Sequence, residues 1–403
     1  GASRPGCSAR STEPMPSPMR SVTVAIRGSL GQPCGVQFDH LFAIATPDFQ
    51  SPMTQSTPAQ KQRFATKINP LARVVTWTES VMRRNGRFAK QLSHANAQPT
   101  TIGSGVACVG VMKNERPRIE DFLNHYRMLD VSGFVLIDNG TTDGTLEYAL
   151  EQPDCTVFST TNSYSESGFG SQWINAAIDI CGLRNRWLVV ADLDELLVYD
   201  RCEKHKLPDL ADLLKEANLD ALPCLMLDMY DDGDPERSRY VPGSSMIDAS
   251  PMFDATGYHR EPSLLKSLLP ATALAIRGGP RARAMFSPSD AGNMLPYLHK
   301  VPFMKWSPGA GMRTSHEVDP IIRNFFPLRG ALLHFKFLNN TALTNKDRLR
   351  DLDHWNNNQQ QSKYFENAGK TAGTTFMYEG SERYLSSQSL VHHDLISKLQ
   401  WPA

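Results

Sequence analysis

No CxxC pair, no HExxH and no uninterrupted apolar run of about 18 residues occurs anywhere in this 403-residue chain, and each absence removes a class of protein. The 7 cysteines, Cys7, Cys34, Cys108, Cys155, Cys181, Cys202 and Cys224, are odd in number and scattered. They suit neither a disulfide framework nor a thiolate zinc site, and read as buried small hydrophobes. The 11 histidines are equally dispersed, with His392 and His393 the one adjacent pair, which argues against a zinc protease. An excess of charge of one sign is also missing: 42 Lys and Arg stand against 42 Asp and Glu. A partner coated in phosphate, nucleic acid above all, is therefore disfavoured. Without a membrane-spanning run, the chain is expected to be cytoplasmic, or at most peripheral at a membrane. The composition leaves a globular protein of two to three domains, on a prior of about 150 residues each. Oligomeric state is not readable from it.

Residues 1–21 are rich in Ser, Pro and Arg, lack the apolar segment of a secretory signal, and read as a flexible tail. Residues 22–100 form an N-terminal β and helical extension. In it SVTVAIRGSLGQPCGVQF predicts two short strands around a Gly-Gln-Pro turn, and residues 61–92 have helical spacing. The polar linker SHANAQPTTIGSG then marks a boundary, and the main domain is placed at 101–340. There, short apolar runs alternate with helical segments. VACVGVMKN (106–114), GFVLIDN (133–139), CTVFSTT (155–161) and RWLVVADLDELLVY (186–199) read as four strands, separated by helices at 117–129, 141–152 and 171–183. This is the pattern of an α/β sheet flanked by helices. Residues 341–403 are expected to be C-terminal helices.

Ligands of such sheets bind beyond the carboxyl ends of the strands. That rule selects Lys113-Asn114-Glu115, Asp138-Asn139 and Asp192-Leu193-Asp194-Glu195. The last group either merely ends a strand or holds a hard cation and a diphosphate. Its flanks, LVVA and LLV, favour the second reading, because unpaired charge is costly in apolar surroundings.

The segments VGVMKNERPRIEDFLNHYRMLDVSGFVLIDNGTTDGT and VADLDELLV, in this order and spacing, resemble the family 2-like glycosyltransferases. That family has a GT-A fold, a Rossmann-like mixed sheet that binds nucleotide sugars. The resemblance runs over about residues 105–340. It implies transfer of a sugar from a nucleotide-sugar donor, usually a uridine diphosphate sugar, to a carbohydrate acceptor. It also implies a divalent metal, Mn²⁺ or Mg²⁺, bridging the diphosphate to the D-x-D. Carried over residue by residue, Lys113, Asn114, Glu115, Asp138 and Asp143 would line the nucleoside, Asp192 would serve ribose and metal, and Asp194 the metal. Thr141 stands where Ser is commoner. The Q-x-x-R-W of processive synthases has no counterpart here, so the chain looks closer to the family's soluble members with DLDE-type ends, in which an LLHFKF segment recurs.

The second half supplies further candidates. Arg281 and Arg283, with Arg277 in IRGGPRARAMF, offer guanidinium groups to a diphosphate, or form a solvated loop. Trp306 either stacks on a sugar or belongs to the core. His334 is the candidate third metal ligand or a satisfied core histidine, and His316 competes with it for the metal. Inversion needs one carboxylate to take the acceptor's proton, for which Glu317, Asp254 and Asp228 are candidates. A sugar-phosphate nucleotidyltransferase is disfavoured by KNERP, where that class would carry a Gly-rich loop. A catalytically inert sugar-binding or scaffolding protein is opposed by the intact D-x-D.

Overall fold

The computed structural model describes residues 86–97, 102–233, 240–262, 274–286, 295–320, 323–324, 327–338 and 376–402, and the backbone of two strands near the N-terminus. The chain divides into two compact units, Gly1–Thr54 and Gln55–Ala403. In the first, β1 (Ile26–Arg27) pairs antiparallel with β2 (Pro33–Cys34), the hairpin that the Gly-Gln-Pro turn predicts. The expected helix at 61–92 lies outside the described residues except for its end, where Ala89–Gln91 form a single 3-10 turn. Most of the expected C-terminal helices also lie outside them.

The second unit is built on a nine-stranded mixed sheet. Its strands are β3 (Ser93–His94), β4 (Val106–Met112), β5 (Val131–Asp138), β6 (Cys155–Ser159), β7 (Trp187–Val190), β8 (Glu195–Val198), β9 (Ala221–Asp228), β13 (His299–Lys305) and β16 (Gly330–His334). They lie in the order β3-β6-β5-β4-β7-β13-β9-β16-β8. The β6-β5-β4-β7 block is parallel, while β13 runs antiparallel between β7 and β9. Small pairs β10 (Met252–Asp254) with β17 (Ser381–Arg383), β11 (Tyr258–Pro262) with β12 (Leu274–Gly278), and β14 (Gly311–Met312) with β15 (Val318–Asp319) frame it.

Helices cover both faces, as an α/β sheet buried on two sides requires. α1 (Ile119–Met128) turns Ile119, Phe122, Leu123 and Tyr126 onto the core that holds Cys108 and Met112 of β4. Alternate residues of that strand, Ala107 and Val109, face the second core, against Trp173, Ala177 and Ile178 of α3 (Ser171–Ile180). Between these helices in sequence lies α2 (Thr145–Leu150), and α4 (Leu207–Glu216) buries Leu207, Leu210 and Leu214 in the first core. This is the mixed α/β architecture expected of a GT-A domain, with one correction in detail. LVVADLDELLV is two strands: β7, in the middle of the sheet, ends at Val190, the chain turns through Ala191–Asp194, and β8 starts at Glu195 on the sheet's edge. The described cysteines of the second unit are buried or half-buried, as small hydrophobes should be.

Candidate functional site

The Asp192–Asp194 turn is held by its neighbours at both ends. Register places Glu195 of β8 opposite His334 of β16, and His334 opposite Asp228 of β9, so three ionisable side chains lie in one row across the sheet. Directly opposed residues on adjacent strands are about 5 Å apart, near enough to bond. His334 Nδ1 lies 2.6 Å from Asp228 Oδ1, and its Nε2 faces Asp194 Oδ2 at 3.5 Å. Beyond Asp228, Arg281 Nε donates to its other oxygen at 2.7 Å. The result is a chain Asp194–His334–Asp228–Arg281 running from the acidic turn to the start of α5 (Gly279–Met285).

Electrostatics follow the geometry. Burial would raise the Asp228 carboxyl, but Arg281 and His334 outweigh it and hold the group near a pKa of about 2. Burial would likewise lower His334, yet Asp194 and Asp228 pull it upward. Arg281 spends only Nε on Asp228; its Nη atoms have no protein partner among the described residues and are not sealed from solvent.

The other end of the turn is held by Lys300 of β13, which is 3% exposed at the side chain and so must have its charge matched in place. Its Nζ donates to Asp192 Oδ2 at 2.8 Å and to the two Glu195 carboxylate oxygens at 2.9 and 2.7 Å. Glu195 Oε2 also accepts the Asp192 backbone N–H, at 3.0 Å. Desolvation opposes the ammonium, and Asp192 and Glu195 overcome it, raising Lys300 above its ordinary range.

The D-x-D pattern and the late histidine predict that Asp192, Asp194 and His334 share one metal. Among the described residues no group of three His, Cys, Asp or Glu side chains is arranged to hold an ion. Asp192 instead gives an oxygen to Lys300. Asp194 and His334 do fit as a two-residue donor set. An oxygen and a ring nitrogen face each other, and Asp228 grips the far ring nitrogen as carboxylates do behind metal-bound histidines.

Other expected residues are placed differently. Asp138 accepts from the N–H groups of Gly140 and Thr141, and Asp143 from those of Arg116 and Thr145. Asn114, with φ at 57°, accepts from the Thr142 N–H. Glu115 pairs with Arg118 at 2.6 Å. These side chains lace the KNERP and DNGTTDGT turns together; Lys113 is exposed beside them. Asp254 is buried and bound by Tyr230 Oη at 2.8 Å and by Arg283 Nε and Nη2 at 3.1 and 3.0 Å. Arg283 also donates to the Phe376 carbonyl, so it is committed to structure while Arg281, two residues earlier, is not. Asp228 is likewise bound on both oxygens. Of the proposed bases, only Glu317, half-buried on the turn at 314–317, lies outside these buried ion pairs. Trp306 is 2% exposed and belongs to the core beside Ala310 and Met312, which excludes it as a stacking platform.

Two residues escaped sequence reasoning. Lys300 is one: a lysine in HKVPFMKW carries no local mark of burial. The other is Tyr164, which follows the end of β6, a strand end that the carboxyl-end rule covers. Burial pushes the pKa of its hydroxyl up, and Asp192, Lys300, Asp194 and Glu195 act on it electrostatically.

No protein-family model matches the chain. No curated protein matches it significantly. Among solved structures it is similar to a mannosyltransferase from Pyrobaculum calidifontis in complex with GDP-Man and Mn²⁺, at 20% identity and a TM-score of 0.23, over 41% of this chain and 47% of that one. It is also similar to glucosyl-3-phosphoglycerate synthase from Mycobacterium tuberculosis in complex with Mn²⁺, UDP and glucosyl-3-phosphoglycerate, at 17% identity and a TM-score of 0.20, over 32% of this chain and 45% of that one. The chain thus spans about half the length of the solved structures it matches.

Proposed function

We propose that the chain is a glycosyltransferase that moves a sugar from a nucleotide-sugar donor, a uridine diphosphate sugar in the first instance, to a carbohydrate acceptor with inversion. The observation that carries this reading is the chain Asp194–His334–Asp228–Arg281 at the carboxyl end of the parallel strands. It offers a hard-cation donor pair at one end and a guanidinium with unspent donors at the other, separated by groups that are themselves satisfied. A diphosphate is the ligand that matches both ends.

Asp194 and His334 would hold Mn²⁺ or Mg²⁺, and the ion, when bound, supplies positive charge to the diphosphate as it leaves. Arg281 donates through its Nη atoms to the same diphosphate. Lys300, with Glu195 as its anchor, fixes Asp192 at the rim, where its carboxylate is half exposed and can accept from a ribose hydroxyl. Asp228 holds the His334 ring and does not itself meet substrate.

Thermal-shift titration with UDP and with GDP, each with and without Mn²⁺, tests the reading. A stabilisation that needs both nucleotide and metal, and that Asp194→Ala abolishes, is expected. No shift with either nucleotide would sink it. Release of nucleoside diphosphate from a panel of nucleotide sugars then identifies the donor without knowledge of the acceptor.

A further inference from the structure

The expected bases are mostly occupied. Asp228 and Asp254 are each 1% exposed and have both oxygens bound by cationic or hydroxyl donors, so neither presents a lone pair to a substrate. One neighbouring group does. His316 Nδ1 lies 2.9 Å from the main-chain oxygen of His299. A carbonyl can only accept, so Nδ1 carries the hydrogen and the neutral ring leaves its lone pair on Nε2. Nε2 has no partner among the described residues and is not sealed off from solvent.

The anchor also fixes where the ring sits. His299 is followed by Lys300, whose ammonium grips Asp192, so the imidazole is tethered to the main chain one residue from the group that holds the acidic turn. The charged groups acting on the ring are Lys300, Asp192 and Arg281, and these are residues of the proposed donor site. Tyr297 lies against it with ring centroids 5.5 Å apart, and His299 is held neutral by burial.

We propose that His316 is the general base of the transfer, its Nε2 accepting the proton of the attacking hydroxyl while the His299 carbonyl fixes the tautomer. The proposal rests on the glycosyl-transfer reading. In the step, the acceptor O–H bond breaks and its proton passes to Nε2. The freed oxygen pair forms the bond to the anomeric carbon, and the bond from that carbon to the diphosphate oxygen breaks with its electrons on the leaving group. Burial and Lys300 lower the pKa of the free ring to about 4, which keeps Nε2 unprotonated at neutral pH. The negative charge of a bound diphosphate offsets Lys300 and Arg281 and strengthens the base when the donor is in place.

The test uses the full chain, with water as acceptor, and follows nucleoside diphosphate release from UDP-glucose, UDP-N-acetylglucosamine and GDP-mannose, beside UDP and GDP binding by thermal shift. His316→Asn keeps a side-chain N–H for the His299 carbonyl but has no basic nitrogen. We expect it to lower kcat by about 10²–10⁴-fold, as loss of a general base does, with nucleotide affinity unchanged within about 3-fold. Added imidazole should restore part of the rate to His316→Ala, which a structural role would not show. A His316→Asn rate within about 3-fold of the parent overturns the proposal and leaves the glycosyl-transfer reading standing, and Glu317→Gln then tests the remaining carboxylate. A loss of nucleotide affinity equal to the loss of rate also overturns it, making His316 a diphosphate ligand. A parent protein that binds no nucleotide and turns over no donor removes both readings together.

Discussion

Lys300 and Glu195 form a fully enclosed ion pair, with Nζ 2.7 Å from Oε2 and side-chain exposures of 3% and 0%. Neither group can exchange its partner for water, so each depends on the other.

Lys300→Met should therefore destabilise the fold by about 3–5 kcal/mol, because it strands a buried carboxylate. Adding Glu195→Gln should recover a large part of that loss, as it removes the stranded buried charge and leaves only the half-exposed Asp192, which water can solvate. Guanidinium unfolding of the parent, the single variant and the double variant measures this. A single variant within about 1 kcal/mol of the parent would show that the pair is not enclosed as described.

Asp228→Asn should weaken Mn²⁺ about 10–100-fold, since the ring of His334 would lose the carboxylate that orients it. The Mn²⁺ concentration giving half the UDP-dependent thermal shift reports the change. Unaltered metal dependence would detach Asp228 from the proposed metal site.

Asp254→Asn separates architecture from chemistry. Losing the charge-assisted contacts with Arg283, whose side chain is 31% exposed, should lower stability by about 1–3 kcal/mol. Donor turnover per folded molecule, measured well below the melting temperature, should stay within about 3-fold, whereas loss of a general base costs 10²-fold or more.

Acid stability should be set in part by His125. Its Nε2 donates to the Leu197 carbonyl, and burial lowers its pKa to about 4 from an ordinary value of 6.5. The unfolded chain thus takes up a proton before the folded one does. The sign follows: this contribution is complete above pH 6.5, declines as pH falls from 6.5 towards 4, and is gone below. At about 1.4 kcal/mol per unit it amounts to roughly 3 kcal/mol. His125→Gln should flatten that part of the pH–stability curve, read from urea midpoints at closely spaced pH values.

The strands and helices between residues 106 and 183 were legible because each apolar run has a single periodicity and polar ends. The break inside LVVADLDELLV was not. Both halves are apolar, and only the pairing of β8 with β16, more than a hundred residues on, separates them. Asp194, His334 and Asp228 were each legible as candidates, but their juxtaposition depends on the register of three strands. Arg281 and Arg283 look alike in sequence and differ in which carboxylate the short helix turns them to. His316 was visible as a candidate ligand; its tautomer, and so its fitness as a base, depends on a main-chain oxygen that no side-chain pattern encodes.

The separation of β7 from β8 also bears on how the molecule folds. Four residues link them, yet β13, β9 and β16 lie between, contributed by segments ending at 305, 228 and 334. β8 has no partner until β16 arrives, so closing that edge spans a long loop and belongs to the slow, high-contact-order part of folding. The parallel β6-β5-β4-β7 block closes shorter loops and is expected to form first. The acidic turn joins the two regions, so a folding intermediate would carry Asp192 and Asp194 on a strand end whose other side is still unfixed, and competence to bind a donor would arrive with the last strand.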